Sequence, residues 1–137
     1  TEELKRLMEE FRGLADDDAI AYQGFISTLK IPKEDPQRKT RIEESLQKAT
    51  LIPLNVADKG IKLLSIIEGI IPDVNKKTLP DLKVGILMAV CAVEGAVEYV
   101  IVNTASLSEQ TFIRSCKVKT DQIKTSLNGY KERLHAL

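Results

Sequence analysis

"VCAVEGAVEYVIVN", Val90–Asn103, is the stretch on which the fold turns. Apart from Glu94, Glu98 and the closing Asn103 it is apolar, in a chain that is 29% charged overall. The apolar run extends from Val84 to Val102, 19 residues, near the length of a membrane span. A charge near the centre of a span costs roughly 2.5–3.5 kcal/mol on insertion scales, and no basic flank compensates here. On a helical wheel Lys83, Glu94 and Glu98 share one narrow face, and Gly85, Met88, Ala89, Ala92 and Ala96 crowd the other side. A helix apolar over most of its circumference has to be covered on most sides, and small residues permit close approach. The stretch therefore reads as the central helix of a bundle beside a dimer interface, with no membrane partner.

The flanking sequence supplies the other helices. From Glu2 to about Lys30, residues Leu4, Leu7, Phe11, Leu14, Tyr22, Phe25 and Leu29 fall on one stripe at about 100° per residue. "KIPKEDP" (Lys30–Pro36) ends that helix, because the residue before Pro32 is pushed out of the helical region. Asp35 and Pro36 read as N-cap and first residue of a second helix, running to about Ile71. Its seam is Ile42, Leu46, Ala49, Pro53, Val56, Gly60, Leu63, Ile67 and Ile70, in steps of four and three. Pro53 lies on that seam; it removes a hydrogen bond to the Ala49 carbonyl and is expected to kink the helix. The freed carbonyl is a place for a ligand, a water or the Thr50 hydroxyl. Thr78–Asp81 has capping-box spacing with Pro80 in the first turn, and the third helix follows to about Thr104. Ser106–Glu109 is a second box. A fourth helix carries Ile113, Cys116, Thr120, Ile123, Leu127, Tyr130, Leu134 and Leu137 on one face. No strands are expected: the fold class is all-α, a bundle of four long helices.

Composition narrows the function. Twenty basic and twenty acidic residues cancel, so nothing steers the chain to nucleic acid. Trp is absent and aromatics are 4%, which requires an aliphatic core. Cys91 and Cys116 form no CxxC and read as reduced thiols, with the cytoplasm as the expected compartment. A single His, His135, argues against a His-based metal site or triad, so no metal is expected.

The sharpest anomaly is Asp18, centred on the apolar stripe between Leu14 and Tyr22. A core-facing carboxylate is costly unless it is paired, hydrogen-bonded or facing a cavity, and desolvation suits such a group to acid–base work. The structural alternative, an N-cap after a break near Gly13, weighs equally. Asp81 has a capping role available, Lys33 in the "IPK" connection is either solvated or an anion partner, and Asn103 is either a turn residue or a ligand contact. Asp81 and Asn103 lie about 33 Å apart along one helix and meet only if a second subunit brings copies together.

Several pieces in order resemble the formimidoyltetrahydrofolate cyclodeaminase / methenyltetrahydrofolate cyclohydrolase family. They are "DDDAIAY" (Asp16–Tyr22), "IPK" (Ile31–Lys33), Arg41, "LQKAT" and "IPLNVA" (Leu46–Ala57), Asp81, "EGAVEYVIVN" (Glu94–Asn103) and "LSEQTF" (Leu107–Phe112). The resemblance departs at Tyr99 and Ile101, where members often carry Asn and Arg. The family's Pro-Gly-Gly-Gly-Ser segment has no counterpart in residues 1–137, so one helical domain lacking that segment is implied. The family's bundle dimerises. The implied chemistry is closure of 5-formimidoyltetrahydrofolate with loss of ammonia, or hydrolysis of 5,10-methenyltetrahydrofolate. The tetrahydrofolate derivative is then substrate, and no cofactor is needed. On this resemblance Asp18 is assigned proton transfer, Tyr22 the pocket wall and Lys33 the folate's glutamate tail, with Asp81 and Asn103 as further substrate contacts. A non-catalytic helical scaffold on the same fold is the alternative.

Overall fold

The computed structural model describes residues 2–137, and among them all regular structure is helical. Helix α1 is Glu2–Leu29, α2 is Arg38–Ile70, α3 is Leu79–Thr104 and α4 is Gln110–His135. Two short 3-10 turns, Ile71–Asp73 and Lys76–Thr78, join α2 to α3. The four expected helices are therefore present, with ends shifted by a few residues.

Helix α2 is the hub, a correction to the expectation that the third helix is central. Among the described residues it packs on α1, α3 and α4, whereas the long helices that α3 meets are α2 and α4, and α1 meets α2 alone. The reason lies in the α2 seam. Its buried residues include Leu46, Thr50, Pro53, Ala57, Gly60, Leu64 and Ile67, which keep the four–three rhythm. Ala49, Val56 and Leu63, expected there, are half-buried beside it. The helix is thus apolar on two adjoining sides and serves several neighbours. Thr50 is fully buried because its hydroxyl donates to the Leu46 carbonyl at 2.7 Å, so it is not spent on the Ala49 carbonyl. The helix runs on through Pro53.

At Gly60 the close approach is structural. A Cβ there would collide with the Cγ2 methyl of Val93, which is fully buried on α3. Val93, Ala96, Val97 and Val100 complete the core with Ile123, Leu127 and Leu134 of α4. Helix α1 buries only Leu7 and Leu14 fully. It is tied to α2 by ion pairs Glu10–Lys59 and Glu3–Lys62 and by the Thr28–Ser45 hydroxyl contact. Among the described residues α3 alone is long and apolar enough to cross a bilayer by length and composition.

The caps differ from the expected pattern. Asp35 accepts from the Gln37 N–H, one residue short of the helix start, and Gln37 is the N-cap of α2. The Thr78 side chain makes no cap bond; its hydroxyl donates to the Asn75 carbonyl, while Asn75 caps the preceding 3-10 turn. The 3-10 turn has already redirected the chain, so no capping box forms and Asp81 is not held by one. In the α3–α4 turn, Glu109 itself is the N-cap, accepting from Thr111 and Phe112 N–H at 2.9 and 2.7 Å. Glu43 of α2 reaches across to accept from the Ser108 and Glu109 N–H groups at 2.8 Å each. A carboxylate from the neighbouring helix thus occupies the place expected for the Ser106 hydroxyl.

Candidate functional site

Because α1 and α3 both lean on α2 without meeting each other, a groove of about 660 Å³ runs between them. Its floor is Ile52, Pro53 and Val56 of α2. One wall is Phe11, Leu14, Asp18 and Tyr22 of α1, and the other is Ala92, Gly95, Tyr99 and Asn103 of α3. Asp18, Tyr22 and Asn103, selected from sequence, therefore converge on one apolar hollow.

Asp18 does not point into the core. It is exposed, as are Tyr22 (62%) and Tyr99 (67%). This corrects the core-facing reading. The α1 stripe is buried only as far as α2 covers it, and beyond Leu14 it becomes a groove wall. Asn103 is half-buried in the last turn of α3, and its carbonyl accepts from the Ala105 and Ser106 N–H groups. Among the described residues, the side chains of Asp18, Tyr22, Tyr99 and Asn103 have no hydrogen-bond or ion-pair partner within the chain, so all four are available to a ligand. Asp18 is the one charged residue of the lining. The arrangement offers one carboxylate, one amide and two phenols around a largely apolar groove, suited to a ligand with an apolar body and polar edges.

A model of the formiminotransferase-cyclodeaminase family matches residues 1–122. The chain belongs to this family. Formimidoyltransferase-cyclodeaminase of Gallus gallus is 28% identical over 128 residues, covering 90% of this chain and 23% of the relative. The Rattus norvegicus protein of the same name is 26% identical over 107 residues, covering 75% of this chain and 20% of the relative. The chain thus spans about a fifth to a quarter of the length of these curated relatives. The crystal structure of formiminotetrahydrofolate cyclodeaminase from Thermotoga maritima shares the fold, with a TM-score of 0.76 at 18% identity. The match covers 96% of this chain and 64% of that one.

In this family member Lys33 and Asp81 are exposed and lie outside the groove lining, Lys33 in the α1–α2 connection and Asp81 in the first turn of α3. Within one chain the structure does not unite them with Asp18. Phe11 and Ala92 enter the sequence reading only as packing positions, and the groove residues it does not select for the site include Phe11, Ile52, Ala92 and Gly95. The last two, with Ala96, Tyr99 and Asn103, recur at helical spacing, a signal that marks a face but not what it faces. A second groove, about 580 Å³, lies on the other side of α2 against α4, bordered by Leu51, Asn55, Asp58, Lys119 and Gln122 among others. Its polar side chains are exposed, and no sequence-selected residue borders it.

Proposed function

We propose that the chain is the helical part of a folate one-carbon enzyme. It acts by cyclodeamination of 5-formimidoyltetrahydrofolate or by hydrolysis of 5,10-methenyltetrahydrofolate. The observation that carries this reading is the convergence of Asp18, Tyr22 and Asn103 on one apolar groove, in a chain that belongs to the formiminotransferase-cyclodeaminase family.

In cyclodeamination N10 attacks the formimino carbon carried on N5, the ring closes and ammonia departs. N10 must lose a proton and the leaving nitrogen must gain one. In the hydrolysis, water adds to the methenyl carbon and gives up a proton as the ring opens. A carboxylate at the edge of an apolar trough can relay either proton. Asp18 takes that role, the pterin lies between Tyr22 and Tyr99, and the Asn103 amide meets a polar edge of the ring. A bend at Pro53 sets the groove width. Lys33, outside the wall, serves the glutamate tail over a longer range by charge. Proton relay of this kind requires no metal or redox cofactor, and the folate is a substrate. The protein works in the cytoplasm as a homodimer, without a nucleic-acid or membrane partner.

Asp18→Asn tests the assignment. Turnover of both folate adducts, followed by the absorbance of the methenyl compound, is expected to be lost while helical circular dichroism is unchanged; near-normal turnover removes Asp18 from the mechanism. Thermal shift complements this, since a ligand at 100 times its Kd adds roughly 2.7 kcal/mol. No shift with any folate favours the scaffold reading.

A further inference from the structure

Helices α2 and α4 are pinned to each other at both ends. Glu43 accepts from the Ser108 N–H at one end, and Arg133 donates to Glu68 at the other. Both contacts join residues 65 apart in sequence, so the two helices run parallel in one constant register. The clamps are about 37 Å apart along α2. Midway between them lies the groove of about 580 Å³. Its floor is apolar and buried, with Leu54 6% and Ile123 7% exposed. Its rims are polar and come from both helices, Asn55 and Asp58 from α2, and Lys119, Gln122 and Ser126 from α4.

These rim side chains are left open. Among the described residues, none of the five has a hydrogen-bond or ion-pair partner within the chain. At other helix edges facing charges close on each other, as in Lys59–Glu10, Lys62–Glu3, Lys131–Glu94 and Arg133–Glu68. Asp58 and Lys119 stand on opposite rims of one groove and stay apart.

The register orders the groups. An offset of 65 sets Lys119 level with Leu54, and Gln122 level with Ala57. Along the groove the sequence is therefore the Lys119 ammonium, the Asn55 and Gln122 amides facing each other, and then the Asp58 carboxylate. Asp58 is about 6 Å beyond Lys119 along the axis, and the groove's width adds to that separation. An occupant that satisfies every group carries an anion at one end and a cation at the other. Between them it needs a donor and an acceptor, since side-chain amides supply both, and an apolar body to cover Leu54 and Ile123. A free α-amino acid carries both charges on one carbon, too close together. A dipeptide places one peptide group between its charged ends and spans roughly 7 Å when extended.

We propose that the α2–α4 groove binds a short zwitterionic peptide of dipeptide length, with its ammonium on Asp58, its carboxylate on Lys119 and its amide between Asn55 and Gln122. The site lies across α2 from the groove containing Asp18 and does not depend on the folate reading.

NMR titration of the isotope-labelled chain with alanyl-leucine and leucyl-alanine tests it. Millimolar dipeptide is expected to shift the side-chain amides of Asn55 and Gln122 and to leave that of Asn103 unmoved. The N-acetylated dipeptide, which lacks the ammonium, and the dipeptide amide, which lacks the carboxylate, are each expected to bind at least fivefold more weakly. Asp58→Asn is expected to weaken the free dipeptide to the level of the acetylated one, without changing the affinity for the acetylated form. Lys119→Gln is expected to do the same with respect to the dipeptide amide. Both positions are exposed, so helical circular dichroism is expected to be unchanged. No shift at either amide up to the solubility limit would overturn the site, and so would equal binding of free and blocked dipeptides. Shifts at Asn103 in place of Asn55 would put the peptide in the other groove and overturn the assignment as well.

Discussion

Replacing Gly60 by alanine sets two effects against each other at one position. In a helix interior alanine is better than glycine by about 1 kcal/mol. At Gly60 the added Cβ would collide with the Cγ2 methyl of Val93. Val93 is fully buried and β-branched, so its methyl has no free rotamer to escape into. Overpacking of this kind costs about 1–3 kcal/mol, so Gly60→Ala is expected to destabilise by about 1 kcal/mol. Gly13→Ala is the matched control, because Gly13 is helical and exposed, with nothing within 4 Å of its Cβ position. It is expected to stabilise by up to about 1 kcal/mol. Urea unfolding followed by circular dichroism at one fixed protein concentration measures both. The gap between the two variants isolates the collision, and in a Val93→Ala background, taken as its own reference, Gly60→Ala should lose most of that penalty. If the two alanines shift the midpoint equally and upward, α2 and α3 are farther apart than described and the argument fails.

Two other perturbations follow from titratable groups. Thr111 and Phe112 N–H bonds hold the Glu109 carboxyl below its ordinary pKa; a depressed acid stabilises above its unfolded pKa and loses that contribution as pH falls through the folded one. The stability gap between wild type and Glu109→Gln is therefore expected to be full at neutral pH and to close below the ordinary carboxylate range, and a gap independent of pH would refute the cap. Burial raises the Cys116 thiol, with Lys119 opposing weakly. In a Cys91→Ser background Cys116 is expected to react with a disulfide reagent only at the rate of unfolding; rapid labelling at neutral pH would mean it is not core.

The helices themselves were legible because periodicity survives any detail of packing. The α4 face Cys116, Thr120, Ile123, Leu127 and Leu134 is buried as its spacing predicts. The α2 seam was half legible. Ala49, Val56 and Leu63 are as apolar as their buried neighbours, and Thr50 enters the core only because its hydroxyl has the Leu46 carbonyl. Which of two adjoining stripes is innermost depends on how many helices a helix touches, which spacing does not encode. Asp18 shows the same limit. The stripe put it among core residues, but only α2 covers α1, so a stripe position became a groove wall. The caps depart from their spacing because Asn75 caps the 3-10 turn before α3, leaving Thr78 without a capping bond, and because Glu43 takes the Glu109 N–H that Ser106 was expected to hold.

One wall of the groove rides on a helix with a single attachment. Among the described residues helix α1 rests on α2 alone, with two buried side chains and two ion pairs. Such a segment can peel away without melting the remainder, so its amides should exchange sooner than those of α2 or α3. A molecule bridging Asp18 and Asn103 would act as a clasp between the loose arm and the rigid body. Occupancy would then register as slowed deuterium uptake along α1, far beyond the residues the molecule touches.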